Sequence, residues 1–520
     1  MHRALPIATI AVLMAACASE PPTAPPRMAV PSDFETTIAR LEAQDRDAPE
    51  ALNARLQYAD FLAGADSGDC HKQLDTAQAQ LDAAGQRPAL QILLPLGRAK
   101  LDSGAYKIHA ARADCDPSLR QDELKLALES ARDAVGLYRD GLDYQSAVIM
   151  QFNAALAQHD LGNTGAAISA LETAIAMDRD YGFRDDAQDN IRLLLHWRGG
   201  DESDTAVAAL MKDFPARKAE FKFDWSQSDA DVSIDAVETA LVGATTVNSV
   251  GAITVKRHVR KNERNWDVSY EPGIPTAGLG NWPPKNEMAR RFTIYLLGNA
   301  LFRTPKFGVK HSGDFDVVHD ARDFEQTLLA QVSARFGDAR PGESEEAGPL
   351  KTQAQNLKAV FLPPYVQANA AVTYNMETAT WAGAKLEQGV WYQMSAPLFL
   401  PGLGIGQFLV AHDIEFSFTR MVACMPGDKE TACAEIVVHA TPDPKDLKLA
   451  TAEVNQGFHL SGAQSLRYWS ATDARLVVRP ETLVPYVSDW RRHWYVALPE
   501  AETDHRVVSS ERVVTVSTYH

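Results

Sequence analysis

Residues 152–178 read FNAALAQHDLGNTGAAISALETAIAMD. Apolar side chains recur in this stretch at intervals of three and four residues, which is the spacing of one buried face of an α-helix. Gly162 separates two such runs, and glycine readily adopts the backbone conformations that a tight turn requires. The same spacing, with abundant alanine and no strand-like alternation, extends over residues 33–200. This part of the chain therefore predicts a series of helices that pack against their neighbours in sequence.

The two runs resemble a tetratricopeptide (TPR) repeat. The packing positions of that motif are matched by Ala155, Gly162, Ala167, Leu171 and Ala174. In this family small residues let two helices approach closely, and successive helix pairs stack into a solenoid. The resemblance implies a TPR-like domain over residues 33–200, with a groove that binds a segment of a partner protein. An irregular helical bundle is the alternative.

Two earlier units extend the predicted solenoid. Gly97 and Gly104 are seven residues apart, like Ala155 and Gly162 in the first unit. An insertion that holds Cys115 separates them from the second helix of their unit. A still earlier helix pair carries Cys70 in the corresponding turn. Because the turns of neighbouring repeats lie along one edge of a solenoid, the resemblance implies that Cys70 and Cys115 can meet there.

From residue 215 onward the pattern changes. Aromatic and β-branched residues alternate with polar ones, and glycine and proline mark turns, as is typical of strands. Such runs include Phe221–Trp225, Ile253–Val259, Trp266–Tyr270, Asp413–Phe418 and Val513–Val516. Helices are expected within this region at Ala321–Phe336 and Pro444–Val454.

The predicted fold class is therefore α+β multidomain. An N-terminal α-helical, TPR-like solenoid is followed by a β-rich α+β region over residues 215–520. The glycine- and proline-containing break at Gly337–Pro349 fits one large domain and equally two subdomains, 215–340 and 350–520.

The N-terminus predicts export. A basic tip precedes an apolar run, Ala4–Ala16, that is too short to span a bilayer, so residues 1–16 are expected to be a signal peptide. Cys17 directly follows small residues and resembles the lipobox of bacterial lipoproteins, with Met14 in place of the usual leucine. The resemblance implies that Cys17 is lipidated and that the proline-rich residues 17–32 form a tether. An ordinary cleaved signal is the alternative.

The lipobox also implies a location. Ala18, rather than the aspartate that retains many lipoproteins in the inner membrane, follows Cys17. By the sorting rule of that family, the resemblance implies a cell-envelope protein that is anchored in the outer membrane and faces the periplasm.

Four cysteines remain after Cys17, an even number in an exported chain, which favours disulfides. Cys424 and Cys433 flank a short segment between two strand-like runs. A disulfide between them would link the two strands of a hairpin. Of the three possible pairings, Cys70–Cys115 with Cys424–Cys433 is favoured. Four free thiols are the alternative.

The net charge and the absence of several sequence motifs argue against some classes of function. A formal net charge of −17, without a long basic cluster, argues against a nucleic-acid partner. The motifs of serine hydrolases, phosphate-binding loops and zinc proteases do not occur in the sequence. The densest set of candidate metal ligands is His311, Asp314, Asp316 and His319, but their spacing matches no metal-binding loop. We therefore expect neither a cofactor, a metal nor catalytic residues.

Three functional hypotheses remain. The first is a non-catalytic lipoprotein scaffold that recruits an envelope protein through its TPR-like groove. The second is a periplasmic carrier, whose β-rich region holds a lipid or another apolar ligand. The third is an envelope enzyme whose site the sequence does not reveal.

Overall fold

The structure is a computed structural model. It describes residues 30–65, 69–212, 214, 217–226, 228–242, 245–271, 273, 276–279, 305–319, 321–323, 326, 363–402, 408–428, 432–457, 465–499 and 504–519. Within these residues the chain has an α+β architecture, with a helical N-terminal region followed by a large antiparallel sheet, as predicted. The predicted signal peptide, Cys17 and nearly all of the tether lie outside the described residues, as does the break at Gly337–Pro349.

Ten helices are described in the N-terminal region, which we call the helical array. They are α1 (Pro31–Gln44), α2 (Pro49–Ala63), α3 (Cys70–Gly85), α4 (Pro88–Leu93), α5 (Gly97–Cys115), α6 (Arg120–Asp140), α7 (Tyr144–Asp160), α8 (Thr164–Tyr181), α9 (Arg184–Trp197) and α10 (Asp204–Met211). Two further helices are described in the β-rich region, α11 (Pro363–Glu377) and α12 (Pro444–Gly457). None of the described helices is long and apolar enough to cross a membrane.

Local sequence explains how the array turns. Asp143 precedes α7, and its carboxylate accepts a hydrogen bond from the Ser146 amide at 3.0 Å, which satisfies one of the free amides at the helix start. Gly162 and Gly182 follow α7 and α8 with φ of 78° and 83°, a left-handed conformation that suits glycine. Consecutive helices then pack against each other along the array.

Fourteen strands are described. They are β1 (Lys218–Glu220), β2 (Ala230–Val242), β3 (Thr245–Lys261), β4 (Asn265–Tyr270), β5 (Thr276–Leu279), β6 (Phe307–Lys310), β7 (Phe315–Val318), β8 (Lys385–Glu387), β9 (Trp391–Phe399), β10 (Leu409–Val422), β11 (Cys433–Pro442), β12 (Arg467–Arg479), β13 (Val484–Pro499) and β14 (Asp504–Tyr519). β1 and β8 form a small sheet of their own.

The other strands form one antiparallel sheet. Its order is β7-β6-β4-β3-β2-β14-β13-β12-β11-β10-β9, and β5 pairs with β3 beside β4. The C-terminal strand β14 lies between β2 and β13, so it joins strands from both of the alternative subdomain ranges.

Side chains alternate between the two faces of this sheet. We call the face that carries Val437, His493 and Tyr495 the outer face, because the helical array packs on it. We call the opposite face, which carries Ile234 and Trp490, the inner face.

The sheet is strongly curved around α11. The main path contains eleven strands, which would span about 48 Å if flat, at about 4.8 Å per step. A helix of 15 residues is only about 22 Å long, yet α11 contacts β7 and β9, the two edge strands. The sheet must therefore bend toward its inner face, where α11 packs.

Two disulfides are present. Cys70, the first residue of α3, is bonded to Cys115, the last residue of α5. Cys424 is bonded to Cys433 and closes the connection between β10 and β11. These are the two pairs that the sequence favoured.

Candidate functional site

The inner face and α11 together form the candidate site. Val366, Ala370 and Tyr374 lie four residues apart on α11, so they share one side of the helix, and all three are buried in the core of the inner face. The Tyr374 ring meets Trp225 edge-on at 5.5 Å, and its hydroxyl donates to the carbonyl of Gly313 at 2.7 Å. Near the N-terminus of α11, Gln367 accepts from the Val318 amide at 2.7 Å.

The wall that faces α11 is largely apolar. Buried residues of six strands contribute to it, among them Val232, Ile234, Val255, Val268, Val309, Val477 and Val513. Aromatic rings close one end, where Phe307 and Phe315 stack at 5.7 Å and both lie against Tyr374. Such a wall suits apolar chains, whether they belong to a helix of this protein or to a ligand.

A polar cavity of about 50 Å³ interrupts this apolar wall beneath α11. Its lining consists of Val232, Ile234, Arg257, Tyr270, Thr373, Glu377, Pro485, Ser488, Thr515 and Ser517. The volume is enough for a few water molecules.

Arg257 brings a charge into the core beside this cavity. It is only 5% exposed, and its guanidinium donates to the carbonyl of Ser228 at 3.0 Å and to the Tyr519 hydroxyl at 2.7 Å. It also lies over the rings of Trp225 and Tyr519, at 5.5 and 5.2 Å. Among the described residues no carboxylate forms an ion pair with Arg257. Burial lowers the pKa of Arg257, but neighbouring groups that include Tyr519, Tyr270 and the carboxylate of Glu377 raise it, so the net shift is upward and the charged form is favoured.

Glu377 supplies the opposite charge from the last residue of α11. Its Oε1 accepts from the Ser488 hydroxyl at 2.6 Å and from the Trp490 indole at 3.0 Å. The cavity is thus lined by a guanidinium from β3 and a carboxylate from α11.

A second polar group lies further along the inner face. Glu238, Glu511 and Arg492 face one another on β2, β14 and β13, and Arg492 is 3.4 Å from Glu511. Burial, and then the charge of Glu511, raises the pKa of Glu238 to about 8. Its Oε1 accepts from the Ser509 hydroxyl at 2.7 Å, while Oε2 has no hydrogen-bond partner among the described residues. Burial and the neighbouring carboxylate therefore favour the protonated form of Glu238.

The four predicted metal-ligand candidates do not form a metal site. His311 lies edge-on to Trp266, Asp316 accepts from Asn265 at 2.6 Å, and His319 is 3.3 Å from Asp267. The group with metal-ligand geometry in the described part of the chain is Cys70, His71 and Cys115, but both of its sulfurs are bonded in a disulfide.

The residues matched to the TPR motif are structural. Ala155, Ala167, Leu171 and Ala174 are fully buried between helices of the array. Gly97 is the first residue of α5, but α5 continues through Gly104 and does not turn there. A Cβ at Gly104 would lie 3.0 Å from Leu81 of α3, so this glycine permits close packing of two helices instead.

The array contacts the outer face over much of its length. Tyr144 and Tyr181 lie under the guanidinium of Arg420, and that guanidinium pairs with the buried Glu435 at 3.1 Å. At the other end of the array, the turn between α1 and α2 pairs with Arg506. This surface of the array packs on the protein's own sheet, and the predicted partner-binding groove stays a prediction.

The sequence reasoning did not identify Arg257, Glu238 or Glu377. A signal for Glu238 was present, because β2 reads Ile234, Ala236, Glu238 and Ala240 at alternate positions. A carboxyl group among the alternate strand positions that are otherwise apolar indicates a buried acidic residue. No such signal marks Glu377, whose position depends on the contact between α11 and β13.

Comparisons with known proteins show no family. No family model and no curated protein matches the chain. Among solved structures, a structure titled "Lipid-protein interactions in lipovitellin" matches 57% of this chain and 25% of that chain, with 9% sequence identity and a TM-score of 0.27. A likeness at this level shows neither a shared fold nor a shared function.

Proposed function

We propose that this protein is a cell-envelope carrier of an amphiphilic ligand, which binds on the inner face of the sheet in the place of α11. The observation that carries the proposal is the curvature of the sheet, whose two edges both contact this one helix. The enclosed surface is apolar over much of its extent and polar at the cavity and around Glu238. An amphiphile, with acyl chains and a polar head, matches such a surface better than a purely apolar molecule does.

The composition of α11 supports its displacement. Ala368, Ala370 and Ala371 give it small side chains, which bury little apolar surface per residue. The hydrogen bonds of Gln367 and Tyr374 each contribute only about 1 kcal/mol net. A ligand with long acyl chains would offset the loss of these contacts, at about 0.8 kcal/mol per buried CH₂ group.

The expected location agrees with such a role. Disulfides are typical of proteins outside the cytoplasm, and the structure contains two. Lipidation at Cys17 would hold the carrier at a membrane from which it could take its ligand.

Native mass spectrometry of residues 19–520, exported without the lipid anchor, tests the proposal. The protein is measured as purified and again after incubation with phospholipid vesicles. We expect a bound lipid mass in at least one sample. Protein that stays empty in both would refute the carrier function.

A scaffold function is the second candidate. The helices α6 and α7 carry exposed apolar residues, with Leu126 and Ile149 44% and 48% exposed, on a part of the array that the sheet leaves uncovered. Such residues can contribute to a protein interface. If the scaffold function holds, crosslinks to one envelope protein in intact cells will cluster on α6 and α7 and will be lost in the double variant Leu126→Glu, Ile149→Glu.

A further inference from the structure

We infer that Cys70, His71 and Cys115 bind a thiophilic divalent cation such as Zn²⁺ when the disulfide between the two cysteines is reduced. The two sulfur atoms and a ring nitrogen of His71 all lie within 4.8 Å of one another. Thiolate and imidazole are ligands that Zn²⁺ prefers in proteins. The inference is independent of the proposed carrier function and adds a metal site in the helical array.

The spacing of these atoms suits a tetrahedral ion. With Zn–S bonds of about 2.3 Å and a Zn–N bond of about 2.0 Å, two bound sulfurs lie about 3.8 Å apart, and a bound sulfur and nitrogen about 3.6 Å apart. The imidazole nitrogen of His71 is therefore already near the required distance from both sulfurs. When the disulfide opens, rotation of the cysteine side chains lets the sulfurs separate to the distance that the ion requires.

Helices α3 and α5 hold the three ligands together without the disulfide. Cys70 and His71 begin α3, and Cys115 ends α5. The two helices pack against each other, with Leu81 of α3 and Ile108 of α5 buried in one hydrophobic cluster. Reduction removes a covalent link but leaves these apolar contacts, so the ends of the two helices stay close.

A reductant and a metal ion can reach this disulfide. Cys70 and Cys115 are half-buried, and His71 is exposed. Cys424 and Cys433 are only 3% and 0% exposed, and in the described part of the chain no further side chains complete a metal-ligand group with them. We therefore expect metal binding after reduction at the first disulfide and not at the second.

Acidic residues adjoin both cysteines in sequence. The carboxylates of Asp69 and Asp116 accept hydrogen bonds from the amides of Lys72 and Ser118, at 3.1 and 2.9 Å. Their negative charge attracts a cation to this end of the two helices. The three ligands come from the cysteines and the histidine, and water completes the tetrahedron.

The change of state needs a dithiol reductant. The dithiol gives two electrons and two protons to the Cys70–Cys115 bond, which breaks to two thiols, and the dithiol itself becomes a disulfide. The cation then replaces the two thiol protons, which pass to solvent. A disulfide oxidant takes two electrons back from the sulfurs, so the Cys70–Cys115 bond forms again and the cation is released. The disulfide and the bound ion are thus alternative states of one site.

Titration of residues 19–520 with Co²⁺ tests the site. The protein is reduced with dithiothreitol in the absence of oxygen and freed of reductant, and its free thiols are counted. Co²⁺ serves as the probe, because thiolate ligands give it charge-transfer absorption and a tetrahedral site gives it intense visible bands. We expect one Co²⁺ per reduced protein, displaced by Zn²⁺, and none in the oxidised protein.

His71→Ala should weaken Co²⁺ binding about tenfold or more, and the double variant Cys70→Ser, Cys115→Ser should abolish it. His196→Ala is the matched control, because His196 is another exposed histidine of the array, and it should bind Co²⁺ as the parent does. Oxidation of zinc-loaded protein should release Zn²⁺ in step with the loss of free thiols. A chromogenic zinc chelator measures this release.

Reduced, folded protein that takes up no Co²⁺ overturns the inference, as does a Cys70–Cys115 bond that excess dithiothreitol cannot open. Binding that His71→Ala leaves unchanged overturns it too. Near-UV circular dichroism shows whether the reduced protein is folded, and reduced protein that stays unfolded when Co²⁺ or Zn²⁺ is added also contradicts the site. These results leave the carrier function standing, because the lipid measurements decide that proposal.

Discussion

Glu238 is the residue whose chemistry the sheet changes most clearly. Its carboxyl group is 1% exposed and lies opposite Glu511, and burial raises its pKa from 4.5 to about 8. The folded protein therefore binds a proton here more tightly than the unfolded chain does. The stability that this group contributes is fully present below about pH 4.5 and is lost as the pH rises through about 8.

Glu238→Gln tests this assignment. The amide cannot ionise, so the free energy of unfolding of the variant should fall less than that of the parent between pH 5 and pH 8.5. Urea unfolding across this range measures the difference. Glu415→Gln, an exposed position on β10, is the control and should follow the parent. Equal pH dependence in the parent and Glu238→Gln would show that Glu238 does not hold a proton.

At the residue scale, the sequence predicted which apolar side chains are buried better than it predicted the surroundings of charged side chains. Ala155 and Leu171 are buried as their helical spacing requires. No metal was expected at His311 and Asp316, and each of these residues lies against its own neighbour, Trp266 and Asn265. Side chains that are close in sequence converge on one ion only when the backbone turns them inward, and spacing alone does not show this.

At the element scale, α11 is the feature with most consequence. Tyr374 fixes it through the ring of Trp225 and the carbonyl of Gly313. Truncating a buried aromatic side chain typically costs 3–5 kcal/mol, roughly, and here most of that cost falls on the state in which α11 is docked.

Tyr374→Ala should therefore raise the apparent affinity for the ligand. If the ligand replaces α11, the apparent affinity rises by the same factor as the population of protein in which α11 is undocked. We expect the apparent affinity to rise at least tenfold. Titration with a fluorescent fatty acid measures the change. Asn375→Ala, the exposed neighbour on the same helix, should have no effect. Weaker binding by Tyr374→Ala would mean that docked α11 forms part of the site.

Not every segment with a strand-like sequence pattern forms a strand. Ile253–Val259 and Asp413–Phe418 lie in strands as predicted. Phe221–Trp225 alternates in the same way but forms no strand; the Phe221 amide donates to Ala384 and the Lys222 amide to Pro480. Alternation of apolar and polar residues indicates only that successive side chains point to two different environments. An extended segment that crosses the core shows the same alternation as a strand.

At the scale of the whole molecule, the array and the sheet form one packed body. Hydrophobic clusters include residues from both, such as Leu90 with Val508 and Tyr144 with Val437. The sequence predicted both regions but not their contact, since the outer face carries many charged residues that look solvent-exposed. Ion pairs such as Arg420 with Glu435 make that face compatible with burial.

The lipobox resemblance predicts that Cys17 anchors the protein where the carrier function needs it. Cys17→Ser removes the thiol that the lipobox resemblance assigns to acylation, so the variant should move from the membrane fraction to the soluble periplasmic fraction. Immunoblotting of fractionated cells measures this, with Cys70→Ser as a control that leaves the predicted lipid in place. Fractionation identical to the parent would show that Cys17 is not the anchor.

Hydrogen–deuterium exchange of residues 19–520, empty and loaded with phospholipid, tests most directly whether a ligand takes the place of α11. We predict that loading speeds exchange of the backbone amides of α11 and leaves the interior strand β13 protected. Unchanged or slower exchange of α11 in protein that demonstrably carries lipid would contradict the account.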